Sequence, residues 1–328
     1  MKLTIDKNTL ASAMKNAAKI ANPKATIPIL SHVAIDFDGE TVTITANDSS
    51  RTYSERFAAT GDAGQCTIEA AKLAKAVAGM KSGEIELTPD QIRQGRSKLK
   101  LESRNYADFP QPDYEDSTDA GITAQQLKAA IASVGHALPT KDVRPMLNGV
   151  HLCEGAAVAT DGLKLAYVDI EYKGAPIIVP AETVRQLPDI DGKVSVSEQQ
   201  IIIDGENQRY TSNLIGQKYP DWQRFIPKEF KWECSVSAGD LIEALKTAQL
   251  GGESVRMEAA NGEIVISNPN AETVVSAEFE GEFKGAFFAQ YLIDAANAAG
   301  TDSLSFQVGA GRGEALISGH FLVMPVKL

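Results

Sequence analysis

Apolar residues return at every third or fourth position in six separate segments. They are Leu10, Met14, Ala17 and Ala21; Leu73, Val77 and Met80; Leu127, Ile131, Val134 and Leu138; Val184 and Leu187; Leu241, Leu245 and Ala248; and Leu292, Ala295, Ala296 and Ala299. That spacing lines one face of an α-helix. Thr123 and Ser237 stand where N-caps belong, and Asp240 follows Ser237 by three positions. The stretches between alternate polar with apolar or run apolar, as in Val42-Thr43-Ile44-Thr45-Ala46, Glu84-Ile85-Glu86-Leu87, Lys98-Leu99-Lys100-Leu101, Ile201-Ile202-Ile203 and Leu304-Ser305-Phe306. These read as short strands. Asp38-Gly39, Asp191-Gly192, Asp204-Gly205 and Asn261-Gly262 read as turns between them. Six short helices with many antiparallel strands make an α+β chain.

The pattern repeats along the chain. Pro28-Ile29-Leu30-Ser31-His32-Val33-Ala34-Ile35 and Pro145-Met146-Leu147-Asn148-Gly149-Val150-His151-Leu152 both read P-x-L-x-x-V-x-[IL]. Each is followed by a strand, ending in Ala46-Asn47-Asp48 or in Ala159-Thr160-Asp161, and later by Phe109-Pro110 or Tyr219-Pro220. The offsets are all about 110–117 residues, near a third of the chain, and a shared order at a shared spacing marks an internal repeat. The last third lacks the P-x-L motif. It keeps the order: helix over 241–250, then Val255-Arg256-Met257, then a strand over 263–267. Three units of two helices each follow, at 1–119, 120–231 and 232–328. Pro110 to Ala120, rich in acids and proline, forms one boundary, and Pro227 to Trp232 forms the other.

A chain of 328 residues exceeds one ordinary core, in keeping with several domains. No apolar run approaches the roughly 20 residues that cross a bilayer, so no membrane partner is expected. The N-terminal segment lacks the apolar stretch of a signal peptide. Cys66, Cys153 and Cys234 are odd in number and far apart, which argues against a disulfide framework and suits a reducing cytoplasm.

The net charge of -11 argues against gripping DNA over the whole surface, since phosphate contacts need Lys and Arg. The charge is unevenly spread. Residues 7–24 hold Lys7, Lys15, Lys19 and Lys24 with no acid, and residues 123–141 hold Lys128 and Lys141 with none. The second helical segment sets Lys72, Lys75 and Lys81 against Glu69 alone, whereas the last three segments each carry one more acid than base. Lysines on one helix are ordinarily a solvated face. On repeated helices that face the same way they form a positive surface on an acidic body.

Catalytic constellations are not found. His32, His136, His151 and His320 lack metal-ligand spacing, and there is no C-x-x-C. Cys153 near His151 reads as a small buried residue on one strand face rather than a metal site. Gly309-Ala310-Gly311-Arg312-Gly313 reads as a loose hairpin loop, and Asp161-Gly162 as a turn. No nucleophile, base and oxyanion donor assemble, so neither an enzyme nor a cofactor or metal is expected.

Ala159-Thr160-Asp161-Gly162-Leu163-Lys164-Leu165-Ala166 resembles the A-T-D-G-H-R-L-A signature of the bacterial replicative sliding clamp, the beta subunit of DNA polymerase III. Met1-Lys2-Leu3-Thr4-Ile5, Ile27-Pro28-Ile29-Leu30, Asp142-Val143-Arg144, Leu147-Asn148-Gly149, Tyr219-Pro220-Asp221-Trp222 and the ending Val323-Met324-Pro325-Val326-Lys327-Leu328 resemble its other landmarks, in order. The resemblance spans the chain. It implies three similar domains and a head-to-tail homodimer, a ring around double-stranded DNA whose hole is lined by helices. Contacts in such a ring are weak and sequence-independent. The partners it implies are the replicative DNA polymerase, the clamp loader and other clamp-motif proteins, each carrying a short peptide.

The resemblance places the peptide pocket at Leu147, at Thr160 with Gly162, Leu163, Lys164 and Leu165, at Pro220 with Arg224 and Phe225, and at Leu322 with Met324, Pro325, Val326 and Leu328. An apolar groove with an adaptable Met accepts Leu and Phe anchors. DNA contact is expected at Lys15, Lys19, Lys24, Lys72, Lys128, Lys141 and Arg144. Gln249 and Leu250 are expected at the ring junction, together with Phe109. The chain departs from the family where Pro145-Met146 replaces aromatic residues, where Leu163 replaces a frequent His, and where basic residues near Ala71, Ala78, Ala181 and Glu182 are missing. Thin basic coverage leaves a second reading open, a clamp-fold interaction scaffold that does not encircle DNA.

Overall fold

The computed structural model describes residues 1–327. Their contacts form two compact units. The first comprises Met1–Leu127, Lys173–Ala175 and Glu182–Leu214; the second comprises Lys128–Tyr172, Pro176–Ala181 and the described chain from Ile215 onward. The middle third of the sequence is thus shared between them.

Six α-helices form among the described residues: α1 (Lys7–Ile20), α2 (Ala70–Ala78), α3 (Ala124–Val134), α4 (Ala181–Arg185), α5 (Ala238–Gln249) and α6 (Ala289–Ala299). Their starts follow the expected capping chemistry. Asp6 accepts the amides of Asn8 and Thr9 ahead of α1. Ser237 accepts the amide of Asp240 ahead of α5. Thr123 and Gln126 cap each other's backbone N–H at α3, a reciprocal capping box.

Four helices stop short of the apolar pattern, α1 by Ala21 alone. α2 ends at Ala78, leaving Met80 of its pattern outside. α3 tightens after Val134 into a 3₁₀ turn, Gly135–Ala137, leaving Leu138 extended. α4 is five residues long, and Leu187 lies outside it. Leu187 precedes Pro188, whose ring disfavours the helical conformation of the residue before it.

Leu10, Ala13, Met14, Ala17 and Ile20 bury the inner face of α1 against α2 and the strands Lys2–Asp6, Thr41–Asn47 and Arg51–Ala58. Lys15 and Lys19 stay exposed on the other side. In the second unit Leu241 and Leu245 of α5 and Leu292 and Ala296 of α6 are buried where those helices meet.

The strands of the described residues form three antiparallel sheets. The first unit holds a five-stranded sheet that ends in the edge strand Ser97–Lys100, and a nine-stranded one. The second unit holds a twelve-stranded sheet. Asn261 and Gly262 take left-handed φ values of 54° and 81° between paired Ala260 and Glu263, a two-residue hairpin. Asp191-Gly192 and Asp204-Gly205 are not turns. Gly192 and Gly205 face each other across a ladder, and a Cβ on Gly192 would lie 2.3 Å from the Asp204 carbonyl oxygen. Close backbone approach, rather than a turn, requires glycine there.

The sequence repeat is visible as structure. Both P-x-L motifs form 3₁₀ turns, Pro28–Ser31 and Pro145–Leu147, that lead into strands His32–Phe37 and Gly149–Cys153. Asp48 and Asp161 each accept the amides two and three residues on, and Ser49 and Gly162 both have positive φ. The strand after each turn pairs with a strand from the following third: Thr52 opposite Thr211, and Leu165 opposite Leu322. The first of these equivalent pairs is polar and the second apolar. The functional consequence lies in that difference.

Candidate functional site

Beside the apolar pair Leu165 and Leu322, the second unit opens a concavity of about 260 Å³. Its floor belongs to a buried cluster of Leu147, Leu165, Tyr219, Trp222, Leu316 and Leu322, with Met324 packed against it. Its mouth includes Leu163, 45% exposed, and Phe225, 37% exposed. The turn at Asp161 delivers Leu163 to the surface, and Gly162 is needed in that turn. Its φ is +94°, and a Cβ would lie 2.9 Å from the Arg144 guanidinium. Met324 is held by its amide, which donates to the Leu163 carbonyl at 2.8 Å. One wall is polar: Lys164 reaches Asp294 of α6 at 3.1 Å and lies over the Tyr291 ring at 4.4 Å.

Ten of the expected wall residues come together here: Leu147, Thr160, Gly162, Leu163, Lys164, Leu165, Pro220, Phe225, Leu322 and Met324. Arg224, Pro325 and Val326 do not line the concavity. Arg224 points to Asp221 at 3.8 Å, and the Val326 amide donates to the Ala286 carbonyl. Leu328 lies outside the described residues. Tyr219 and Trp222 line it and were not expected as walls. Their signal in the sequence was their place in the Tyr219-Pro220-Asp221-Trp222 landmark.

Arg144, expected at DNA, is also part of this wall. Its guanidinium grips Asp142 with two hydrogen bonds, of 2.9 and 2.8 Å, and donates to the Asp161 carbonyl at 3.0 Å. These bonds use Nε and one terminal nitrogen of the guanidinium, and the side chain stays half exposed. The Arg144 side chain and amide hold the Asp142 carboxyl down to about 2 from an ordinary 3.8. The pair's contribution is therefore present above pH 3.8 and lost as pH falls through about 2. Carbon-13 NMR of the Asp142 carboxyl should give a midpoint near 2, and Arg144→Gln should return it toward 3.8. A native midpoint near 3.8 would show the pair to be open in solution.

The other cations divide by exposure. Lys15, Lys19, Lys24 and Lys141 are exposed, while Lys72 and Lys128 are half-buried. Lys24 and Lys141 occupy equivalent places, four residues before the prolines of the two 3₁₀ turns. Exposed apolar side chains accompany them, Ile27 at 56% and Val143 at 97%.

At the expected junction, Leu250 is 89% exposed, and Gln249 donates to the Gln290 side chain. Phe109 is a correction. It is 2% exposed, in a cluster with Ile29, Leu30 and Ala34. It is the repeat counterpart of Tyr219, and each ring closes over the leucine of its own P-x-L turn. Two open strand edges were missed. Ser97–Lys100 is exposed throughout and carries Leu99, 40% exposed. Ala271–Phe279 has a strand on its far side only along Ala277–Phe279, and its open part carries Val274, 51% exposed. Edges show weakly in sequence because pairing on one side or two leaves the same alternation.

His151 and Cys153 share a strand face, as expected. His151 stacks on Tyr219 at 4.5 Å, and burial lowers its pKa while raising that of Cys153. No group of three metal-ligating side chains occurs among the described residues, and none of their helices is long and apolar enough to cross a membrane.

Models of the N-terminal and central domains of the DNA polymerase III beta subunit match residues 1–113 and 121–221. The chain belongs to the beta sliding clamp family. Full-length similarity extends this to the last third: the beta sliding clamp of Vibrio cholerae is 26% identical, with all of both chains covered. A crystal structure of the sliding clamp (DNA polymerase III subunit beta) of Bartonella birtlesii, bound to griselimycin, superposes with a TM-score of 0.91 at 26% identity over the whole of both chains. The DNA polymerase III beta subunit of Pseudomonas aeruginosa has the same fold, with a TM-score of 0.91 at 24% identity over both chains. The expected α+β architecture of helices on antiparallel sheets is that of the family.

Proposed function

We propose that the chain is a DNA sliding clamp: two copies close head to tail around duplex DNA, and the concavity beside Leu165 and Leu322 holds short peptides of the replicative polymerase, the clamp loader and other partners. The observation that carries this reading is the concavity itself. It is apolar, it is built from the family's landmark segments, and it sits at one of two equivalent strand junctions. Thr52 and Thr211 occupy the other junction, and threonines offer no comparable apolar floor. We read the three domains as 1–119, 120–231 and 232–328, and the site of action as the cytoplasm. The clamp works by topology, without a catalytic group, metal or cofactor.

DNA contact falls to Lys15, Lys19, Lys24, Lys72, Lys128 and Lys141, with Arg144 reassigned to the pocket wall. Loading by a clamp loader onto nicked circular DNA tests the ring. The protein should co-elute with the circle and be lost when the circle is linearised; retention on linear DNA would contradict encirclement. Lys24→Glu with Lys141→Glu should weaken DNA binding and shallow its log–log salt slope by about 2, since each phosphate contact contributes about one counterion. Peptide binding should be unchanged.

Two open edges suit the ring junction better than Phe109. Arg96, Lys98 and Lys100 flank Leu99 on one, and Glu272 lies beside Val274 on the other. Complementary charge and an unpaired ladder are what a strand edge needs to add a strand from a second chain. Leu99→Asp is expected to shift the sedimentation coefficient from dimer to monomer. A native-like dimer in Leu99→Asp and Val274→Asp alike would place the junction elsewhere.

A further inference from the structure

The glycine-rich hairpin at 309–313 is not loose. The Gly309 amide donates to the Glu314 carbonyl at 2.9 Å, the Ala310 amide to the Glu229 carbonyl at 2.9 Å, and the Arg312 amide to the Glu314 carboxylate at 3.1 Å. Glu314 is 5% exposed, so this carboxylate acts as an internal brace. Gly309 is held between Glu314 and Pro227, where a Cβ would approach each within 2.9–3.0 Å, and Gly313 has a φ of +77°. The braced loop carries the Arg312 guanidinium to 5.3 Å from the centre of the Phe225 ring. Phe225 lines the mouth of the concavity.

Stacking uses the face of a guanidinium and leaves its in-plane N–H donors open. Arg312 is exposed and has no carboxylate partner among the described residues. The other cations of the mouth are paired: Arg144 with Asp142, Lys164 with Asp294, and Arg224 loosely with Asp221. A guanidinium over a ring face at the rim of an apolar site, with no carboxylate partner among the described residues, matches a carboxylate in charge and in fork geometry.

We propose that Arg312 is a specificity-determining residue of the pocket, selecting segments that carry a carboxylate beside their aromatic anchor. This rests on the reading of the concavity as the partner-peptide pocket. The carboxylate has two sources, an Asp or Glu side chain following the anchor or the C-terminal carboxylate of a partner that ends there.

Fluorescence polarisation on the full chain tests this with four labelled peptides that share a Gln-Leu-Ser-Leu-Phe core. One ends as the Phe carboxamide, one as the Phe free acid, one as Phe-Asp carboxamide and one as Phe-Lys carboxamide. At least one acidic form is expected to bind about three- to fivefold tighter than the plain carboxamide, in the range of an exposed charge pair, and the Lys form more weakly. Preference for the free acid alone points to a chain terminus, and preference for the Asp form points to a side chain. Arg312→Gln should erase the differences while keeping the affinity for the plain carboxamide, which also reports an intact fold. Arg312→Glu should reverse the order. Equal binding of all four to the native chain, or discrimination that survives Arg312→Gln, overturns the role of Arg312 and leaves the pocket standing. Failure of every peptide to bind the native chain overturns the pocket reading and this inference together.

Discussion

Deleting residues 324–328 is expected to weaken binding of a clamp-motif peptide at least about 100-fold, or roughly 3 kcal/mol, because it removes a central apolar contact rather than a rim residue. Met324 packs on the cluster that forms the floor, and its amide ties the Leu163 carbonyl into the opposite lip. The deletion starts after the strand Phe321–Val323, so that strand keeps its pairing with Lys164–Asp169. The second unit should therefore stay folded, with only a small fall in melting temperature. Fluorescence polarisation and circular dichroism on the same samples check both halves of the statement. Native-like affinity in the truncated chain would move the peptide site away from this concavity.

Arg51→Ala should be among the most destabilising single substitutions in the first unit, by about 3–5 kcal/mol, the usual cost of breaking a buried pair from one side. The Arg51 side chain is 5% exposed and its Nε donates to Asp48 at 2.9 Å; Asp48 is itself 12% exposed. The guanidinium also donates to the Gln186 side chain and reaches Glu182 at the start of α4. Glu182 is 70% exposed, so water screens it and the loss falls chiefly on Asp48. Removing the cation leaves Asp48 charged in a poorly solvated place. Both tryptophans, Trp222 and Trp232, lie in the second unit, so their fluorescence follows that unit alone. In urea, the circular-dichroism transition of Arg51→Ala should begin well before the tryptophan transition. Adding Asp48→Asn should recover part of the loss, and a midpoint unchanged by Arg51→Ala would show the pair to be energetically neutral.

Arg51 and Lys164 occupy equivalent places in the repeat, one residue before Thr52 and Leu165. Both turn a cation toward a carboxylate on a helix, Glu182 of α4 or Asp294 of α6. The first junction is closed by this polar network. The second keeps its cation at one wall and leaves the apolar floor open. The chain repeats a fold and differentiates one copy of it, and a few side chains decide which copy becomes a binding site.

Much of this was legible in the sequence. Periodicity located all six helices, and Asp38-Gly39 and Asn261-Gly262 marked real turns, because both signals depend on neighbours close along the chain. Short motifs at shared spacing exposed the repeat, and the segments that resemble the family brought ten of the expected wall residues to one concavity. Tertiary structure decided what local pattern does not encode. Phe109 is buried because its partners Ile29 and Leu30 lie some eighty residues earlier. Arg144 meets Asp142 and the Asp161 carbonyl because a turn closes beside it. Ser97–Lys100 is an edge because no further strand pairs with it among the described residues. Arg312 meets Phe225 only because a buried carboxylate braces a glycine-rich loop. Sequence alone determined which faces are apolar, since that depends on residue type and period. The fold decided which of those faces find a partner, since pairing depends on distances that only the closed chain sets.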